Sequence, residues 1–248
     1  MNEYKPEGSL ISTSKNYESI STYDGLKRAL EKQTILEGNV ILCDKNLNLH
    51  VELNSTIKGI IPKDEVIISK NGESTKDIAI LTRVGKPVCF KVLGFKTLQN
   101  GELTAILSRR AAQFECIENL IKSLHPGDII PARITHLERF GAFADIGCGI
   151  ISLLSIDSIS VSRITHPSAR LKIGDLIYTA IKCIDNSGRV FLSSKELLGS
   201  WEENASLFTE GQTVRGIVRS IENYGIFVEL TPNLAGLAEY KENVYKII

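Results

Sequence analysis

Two phenylalanines three positions apart, Phe140 and Phe143, stand close along the chain to Arg133, His136 and Arg139, and of all its residues these best suit a recognisable chemistry. That chemistry is stacking rather than bond-making. In the run from Gly141 to Ile146, Ala144 and Ile146 share one parity while Phe143 and Asp145 take the other, so on a half-buried strand the Phe143 ring has no core to fill. A flat apolar ring beside cations is a sequence-tolerant platform for unpaired bases, worth about 1–3 kcal/mol per stacked base. Phe140 has a second reading, as a cap on the end of a barrel. A further pair, Tyr224 and Phe227, repeats the spacing near Arg215 and Arg219.

Bond-making chemistry finds no support. The sequence contains no Walker loop, no G-x-G-x-x-G opening a helix, no H-E-x-x-H and no G-x-S-x-G elbow. Ser12 to Lys15 reads S-x-x-K, but in a polar leader with nothing to build an oxyanion hole. The five cysteines, Cys43, Cys89, Cys116, Cys148 and Cys183, form no C-x-x-C pair, which argues against zinc and against a disulfide scaffold. They are expected to be buried thiols in a reducing compartment, and no cofactor or metal is expected. Carboxylates that alternate with apolar strand residues, or lie on connecting helices, are expected to be solvated.

Charge and length bound the rest. Lys plus Arg and Asp plus Glu both number 29, which excludes a globally basic nucleic-acid coat, so any contact with RNA must be local. With 43% hydrophobic and 23% charged residues the chain should fold. No run approaches the roughly 18 apolar residues of a membrane span, and the N-terminus lacks the layout of a signal peptide, so a cytoplasmic protein without a membrane contact is expected.

The elements that must position these residues are visible as a repeat. PGDIIPARITHLERFGAFADIGCGIISLL runs without a gap against EGQTVRGIVRSIENYGIFVELTPNLAGLA, pairing Phe140 with Tyr224, Gly141 with Gly225, Phe143 with Phe227 and Asp145 with Glu229. A weaker upstream copy sets Val51, Leu53 and Gly59 opposite Ala144, Ile146 and Ser152. Ile130, Ala132 and Ile134 alternate as on a half-buried strand, Gly141 reads as a bend or bulge, and further strands are predicted at Gly149 to Leu154, Leu176 to Ile184 and Arg189 to Ser193. Helical spacing predicts connectors over Arg109 to Leu124 and Lys195 to Phe208, and a shorter helix capped by Asp24.

Five short strands with a coiled first pair describe the oligonucleotide/oligosaccharide-binding barrel. GDIIPARITHLERFGAFADIGCG followed by GRVFLSSKEL resembles the RNA-binding domain of the ribosomal protein S-one family, and the resemblance covers about Leu36 to Tyr240, strong in the second copy, good in the surviving half of the third and weak in the first. It implies an all-β chain of tandem five-stranded barrels joined by short helices. Residues 1–35 would be an extension with a short helix, 36–108 a degenerate barrel, 109–125 a connector, 126–194 the RNA-binding barrel, 195–209 a second connector and 210–248 an incomplete third barrel.

The resemblance also implies that Phe140 and Phe143 stack on bases, with Arg133 and His136 beside them, and that Asp185 and Arg189 contact base, ribose or phosphate. A turn-spanning salt bridge is the alternative for that last pair. Tyr224, Phe227 and Arg219 would play the same part in the third copy. Ser155 and Glu239 stand where the family often has a histidine, which weakens that contact. In the first copy Leu47 and His50 replace the aromatic pair and Thr104 replaces Arg189, so its RNA face is lost. The implied function is non-catalytic binding of single-stranded RNA, such as an mRNA leader, at the small ribosomal subunit. The alternative is an adaptor that docks on a ribosomal or RNA-processing complex. The third copy reaches Ile248 two strands short, so exposed sheet edges and an unfilled interior are expected, with a longer natural chain favoured over completion by a second molecule.

Overall fold

The computed structural model describes residues 4–68, 76–97 and 101–239; the end of the expected third barrel, residues 240–248, lies outside the described residues. The chain forms two compact units. One holds the residues up to Leu124 together with Asp145–Ile151, the other His125–Ala144 and the residues from Ser152 onward.

In the first unit, helices α1 (Ser14–Ile20) and α2 (Tyr23–Glu31) precede strands β1 (Leu36–Cys43), β2 (Leu49–Val51) and β3 (Ile57–Ile61). Helix α3 (Asp77–Leu81), strands β4 (Pro87–Thr97) and β5 (Leu103–Ser108) and helix α4 (Arg109–Asn119) follow. The strands close a barrel in the order β1-β2-β3-β5-β4. Alternation makes the core: Ile57, Gly59 and Ile61 point inward from β3 and Leu49 and Val51 from β2, meeting Leu36, Val88, Phe90, Val92 and Leu107, all 2% exposed or less apart from the glycine. Truncating one of these large side chains to alanine costs about 2–5 kcal/mol.

Two helix expectations change here. The cap of α2 is Thr22, whose hydroxyl accepts the Gly25 N–H at 3.0 Å, because its extended backbone can aim the side chain at the first turn while Asp24 already lies inside the helix. The polar leader also carries α1, capped by Thr13.

The first unit buries charge that sequence alternation assigned to solvent. Glu7 and Arg109, 8% and 1% exposed, form a bidentate pair at 2.7 and 3.0 Å, and Arg109 Nη1 donates to the Val66 carbonyl at 3.1 Å. Asp145, expected to face outward, is 2% exposed. Its carboxylate accepts the Glu7 N–H at 2.7 Å and the Gly147 and Gly149 N–H groups at 2.8 and 3.0 Å. The N-terminal segment covers it and converts an outward strand position into an anion site for backbone donors. Glu37 likewise accepts from Gly8, Leu10 and Ile11 at 3.2, 2.8 and 2.9 Å. Burial pushes the Glu37 and Asp145 carboxyls each up to about 7, while the Arg109 guanidinium holds Glu7 below its ordinary value against a large burial cost. Gly149 sits at φ 75° with Arg109 where a Cβ would be, so only glycine fits. Of the thiols, Cys89, Cys116 and Cys148 are buried as expected, but Cys43 is half-buried and Cys183 exposed.

In the second unit, β6 (Ile129–Glu138), β7 (Gly141–Asp145), β8 (Ile151–Ser155), β9 (Leu176–Ile184) and β10 (Val190–Ser193) close a barrel in the same circular order. Ile130, Ala132, Ile134, Ala142 and Ala144 face its interior, matching the alternation of the sequence. Gly141 is there for close approach rather than for a bulge: a Cβ would lie 2.5 Å from the Leu154 carbonyl oxygen, and at Gly225 it would lie 2.6 Å from the Ala238 carbonyl oxygen. Where a register shift does occur in the corresponding strand pairs, it falls on the first strand, at Ile41 and at Arg219.

The expected helix over 195–208 is broken. A single turn, Lys195–Leu198, ends at Gly199 with φ 83°, and helix α5 (Trp201–Ala205) restarts from Ser200, which shares a capping box with Glu203. A three-stranded sheet of β11 (Ile217–Glu222), β12 (Gly225–Thr231) and β13 (Leu234–Glu239) completes the described chain, leaving Val218, Ile221 and Leu237 exposed.

Candidate nucleic-acid interface

On the second barrel, the turn after β6 lifts Phe140 out to 56% exposure, and β7 presents Phe143 on the face opposite Ala142 and Ala144. The Phe140 carbonyl accepts the Ile156 N–H at 2.9 Å and the Phe143 carbonyl accepts the Thr135 hydroxyl at 3.1 Å, so both backbones are pinned. The rings meet edge-to-face, centroids 6.0 Å apart at 88°. His136 from β6 adds a third ring, nearly parallel to Phe143 at 6.3 Å and 26°, with its Nε2 2.8 Å from Glu138 Oε1. Three adjacent rings on one outer surface form a platform rather than a core.

The cations are distributed less simply. Arg133 is half-buried and donates from Nη1 to the Gly174 carbonyl at 2.9 Å, whereas Arg139 is exposed. Asp185 and Arg189 face each other across the β9–β10 turn, Nε to Oδ2 at 2.8 Å, so the turn-spanning pair is present. Asp185 also accepts from the Ser187 N–H and hydroxyl and the Arg189 N–H, at 2.9, 2.7 and 2.9 Å, an arrangement that fixes the turn. These hydrogen bonds, the Ser187 hydroxyl foremost, hold the Asp185 carboxyl well below the usual carboxylate range. The Arg189 side chain remains 66% exposed while so anchored, a cation held in place at the rim. Tyr178 on β9, 68% exposed, escaped sequence reasoning, although it alternates with Ile177 and Thr179 as an outward residue does.

The third copy reproduces the pair: Tyr224 and Phe227 meet at 6.2 Å and 90°. Arg219 lines the same cleft as the two rings but is engaged by Glu229, donating from Nε to Oε2 at 2.7 Å, and Arg170 pairs with the same carboxylate. These two arginines hold the buried Glu229 carboxyl below its ordinary value against the cost of burial. In the first barrel Leu47 lies in a turn with φ 63° and packs partly against the core. On β2, His50 Nε2 is 3.4 Å from Oδ2 of Asp44, which organises the preceding turn through the Asn46 and Asn48 N–H groups. Thr104 is 1% exposed. Among the described residues, the positions matching Phe140 and Phe143 on that barrel hold no pair of stacking rings.

Residues 123–195 match the model of the S1 RNA binding domain. The whole chain is similar to small ribosomal subunit protein bS1 of Staphylococcus saprophyticus, 30% identical over 97% of this chain and 60% of that protein. Residues 123–195 are thus an S1 domain. The bS1 proteins of Staphylococcus aureus and Staphylococcus epidermidis are 29% and 27% identical, each over 99% of this chain and 61% of theirs. The chain thus spans about three fifths of the length of these relatives. The S1 match runs from shortly after α4 to just past β10 and contains Phe140, Phe143, Asp185 and Arg189, the full set of the second barrel; Tyr224 and Phe227 lie beyond it.

Proposed function

We propose that this S1-domain chain is a non-catalytic protein of translation that binds single-stranded RNA, and that it holds mRNA at the small ribosomal subunit in the cytoplasm. The observation that carries the reading is the edge-to-face pair of exposed Phe140 and half-buried Phe143 with His136 beside it, inside the residues that match an RNA-binding domain. The relatives' names place those proteins in the small ribosomal subunit, which supports the cellular setting. Bases stack on the rings, and Arg139 and Arg189 at the rim meet phosphates. The organisation follows: the second barrel is the principal RNA module, the third copy is a second one through Tyr224 and Phe227, and the first barrel is a docking or spacer module, since Leu47 and His50 are engaged within its own turn.

The test is an electrophoretic shift of oligo(U) at two salt concentrations. Binding that weakens steeply with salt is expected, because neutralising phosphates releases counterions. Absence of any shift from a folded protein would remove the RNA-binding reading and leave the adaptor.

A further inference from the structure

The second unit contains a cleft that the repeat alone does not build. It measures about 720 Å³, within the roughly 300–1,000 Å³ typical of small-ligand clefts, and is lined by Arg163, Trp201, Glu222, Tyr224 and Phe227 among others. Tyr224 and Phe227 come from the β11–β13 sheet. Trp201 is the first residue of α5, and Arg163 lies in the loop after β8. Asn233, 1% exposed, ties these parts together: its Oδ1 accepts the Val161 N–H at 3.0 Å, and its Nδ2 donates to the Lys195 and Gly199 carbonyls, each at 2.9 Å. The Ser200–Glu203 capping box then sets the direction in which α5 carries Trp201. A buried amide satisfied at both ends by two separate segments is a preorganising device, not a chance surface contact.

The lining chemistry selects the occupant. Trp201 is 56% exposed and, among the described residues, touches no other aromatic ring, although indole is the largest stacking surface a protein can offer. Arg163 is exposed and has no ion-pair partner among the described residues, whereas Arg219 is spent on Glu229. Three rings with one uncommitted guanidinium suit unpaired bases joined by phosphate, and the Glu222 carboxylate suits a base amine or ribose hydroxyl. We infer that Trp201 and Arg163 join Tyr224 and Phe227 to form a second single-stranded RNA site, in which Trp201 stacks on a base and Arg163 meets the adjacent phosphate. The inference rests on the RNA-binding reading above.

Trp201 is the one tryptophan of the chain, so its fluorescence reports this cleft and nothing else. Titrating the full chain with oligo(U) should quench Trp201, and the quench should persist at higher oligonucleotide concentration in a Phe140→Ala, Phe143→Ala variant. In that background Trp201→Ala should weaken the remaining binding about fivefold or more and Trp201→Phe should restore most of it, with Arg163→Ala reducing the salt dependence. If oligo(U) shifts the protein while Trp201 stays silent, or if the quench vanishes with Phe140 and Phe143, the cleft is not an RNA site and the reading of the second barrel stands. If oligo(U) neither shifts the protein nor quenches it, both readings fall.

Discussion

The two closed barrels run their strands in one circular order, yet one presents Phe140 and Phe143 where the other holds Leu47 and His50. Their interiors obey the same alternation, with Leu49 and Val51 facing inward as Ala142 and Ala144 do. The difference lies entirely in residues of the other parity. In the second barrel these are rings on the outer surface, Phe140 exposed and Phe143 half-buried. In the first, a turn closed by Asp44 engages His50, and a left-handed backbone at Leu47 lays that side chain against the core. Inward residues specify a barrel, and outward residues are then free to keep or lose a ligand without cost to the fold. The first barrel's unit places its polar investment inside, in the Glu7–Arg109 pair and the carboxyls of Glu37 and Asp145.

The sharpest way to separate the two is to strike that buried charge. Arg109→Ala strips the buried Glu7 carboxylate of its bidentate partner, leaving Arg83 at 3.8 Å and the Cys89 N–H at 3.1 Å, and should cost about 3 kcal/mol of stability in denaturant unfolding. The affinity of the remaining folded protein for oligo(U) should be unchanged. The same region sets a pH dependence. The Glu37 and Asp145 carboxyls are raised to about 7, so the stability they contribute is complete below their unfolded values near 4 and is lost as pH rises through about 7. Glu7, held low, acts oppositely but only under acid conditions. The thermal midpoint should therefore fall from about pH 4 to about pH 7 and level off above it, and Glu37→Gln should flatten that fall. A midpoint that rises over this window would show that the two carboxyls are ionised and well paired instead.

Next in size is the face of the second barrel. Phe143→Ala should weaken oligo(U) binding by about 1–3 kcal/mol, with an unchanged circular dichroism spectrum because the ring lies outside the core. Phe140→Ala on top of it should weaken binding further. If the double variant is folded and binds as well as the unaltered protein, the contrast between the barrels has nothing to do with RNA.

The outer alternation that exposes Phe143 was legible because it needs only a strand and a parity. So were Ile130, Ala132 and Ile134, and the constant offset between Gly141 and Gly225. Asp145 was not legible. Its parity is outward, and what buries it is a segment more than a hundred residues upstream, carrying the Glu7 N–H to its carboxylate. Long-range cover of this kind leaves no period in the sequence. Gly149 carried a usable sign, since a glycine repeated at close spacing after Gly147 invites a reason, but the reason is the Arg109 guanidinium from another element. Trp201 was hidden for a different cause: the pattern over 195–208 reads as one helix, and only the left-handed Gly199 and the Ser200 cap divide it and turn the indole to the Tyr224 sheet.

A smaller effect should come from Arg189. Its guanidinium is held by Asp185 but 66% exposed, so Arg189→Ala should remove about one phosphate contact. The expected signature is a modest loss of affinity with the logarithmic salt slope reduced by about one. Asp185→Asn keeps the size of the side chain and the two N–H acceptor bonds of its Oδ1 while discharging the pair, and should leave the salt slope nearly as it was. Equal losses from both substitutions would mean that the pair acts only by shaping the turn.

The smallest effect expected is also the strictest check on the comparison. If the first barrel lacked only a ring, His50→Phe would restore an RNA face. The geometry says otherwise. A platform of the second-barrel kind needs the edge-to-face partner that Phe140 supplies, and the matching Leu47 has φ 63° and its side chain partly packed into the core, so it cannot supply one. It also needs the rim cation that Arg189 supplies, and the matching Thr104 is buried. A single exposed phenylalanine without either should add well under about 1 kcal/mol of affinity. The measurement is a shift assay of His50→Phe in the Phe140→Ala, Phe143→Ala, Trp201→Ala background, where little binding remains to mask a gain. A gain equal to what Phe143→Ala removes would show that one ring makes the face, and that the difference between the barrels is a single residue rather than a turn, a backbone conformation and a cation acting together.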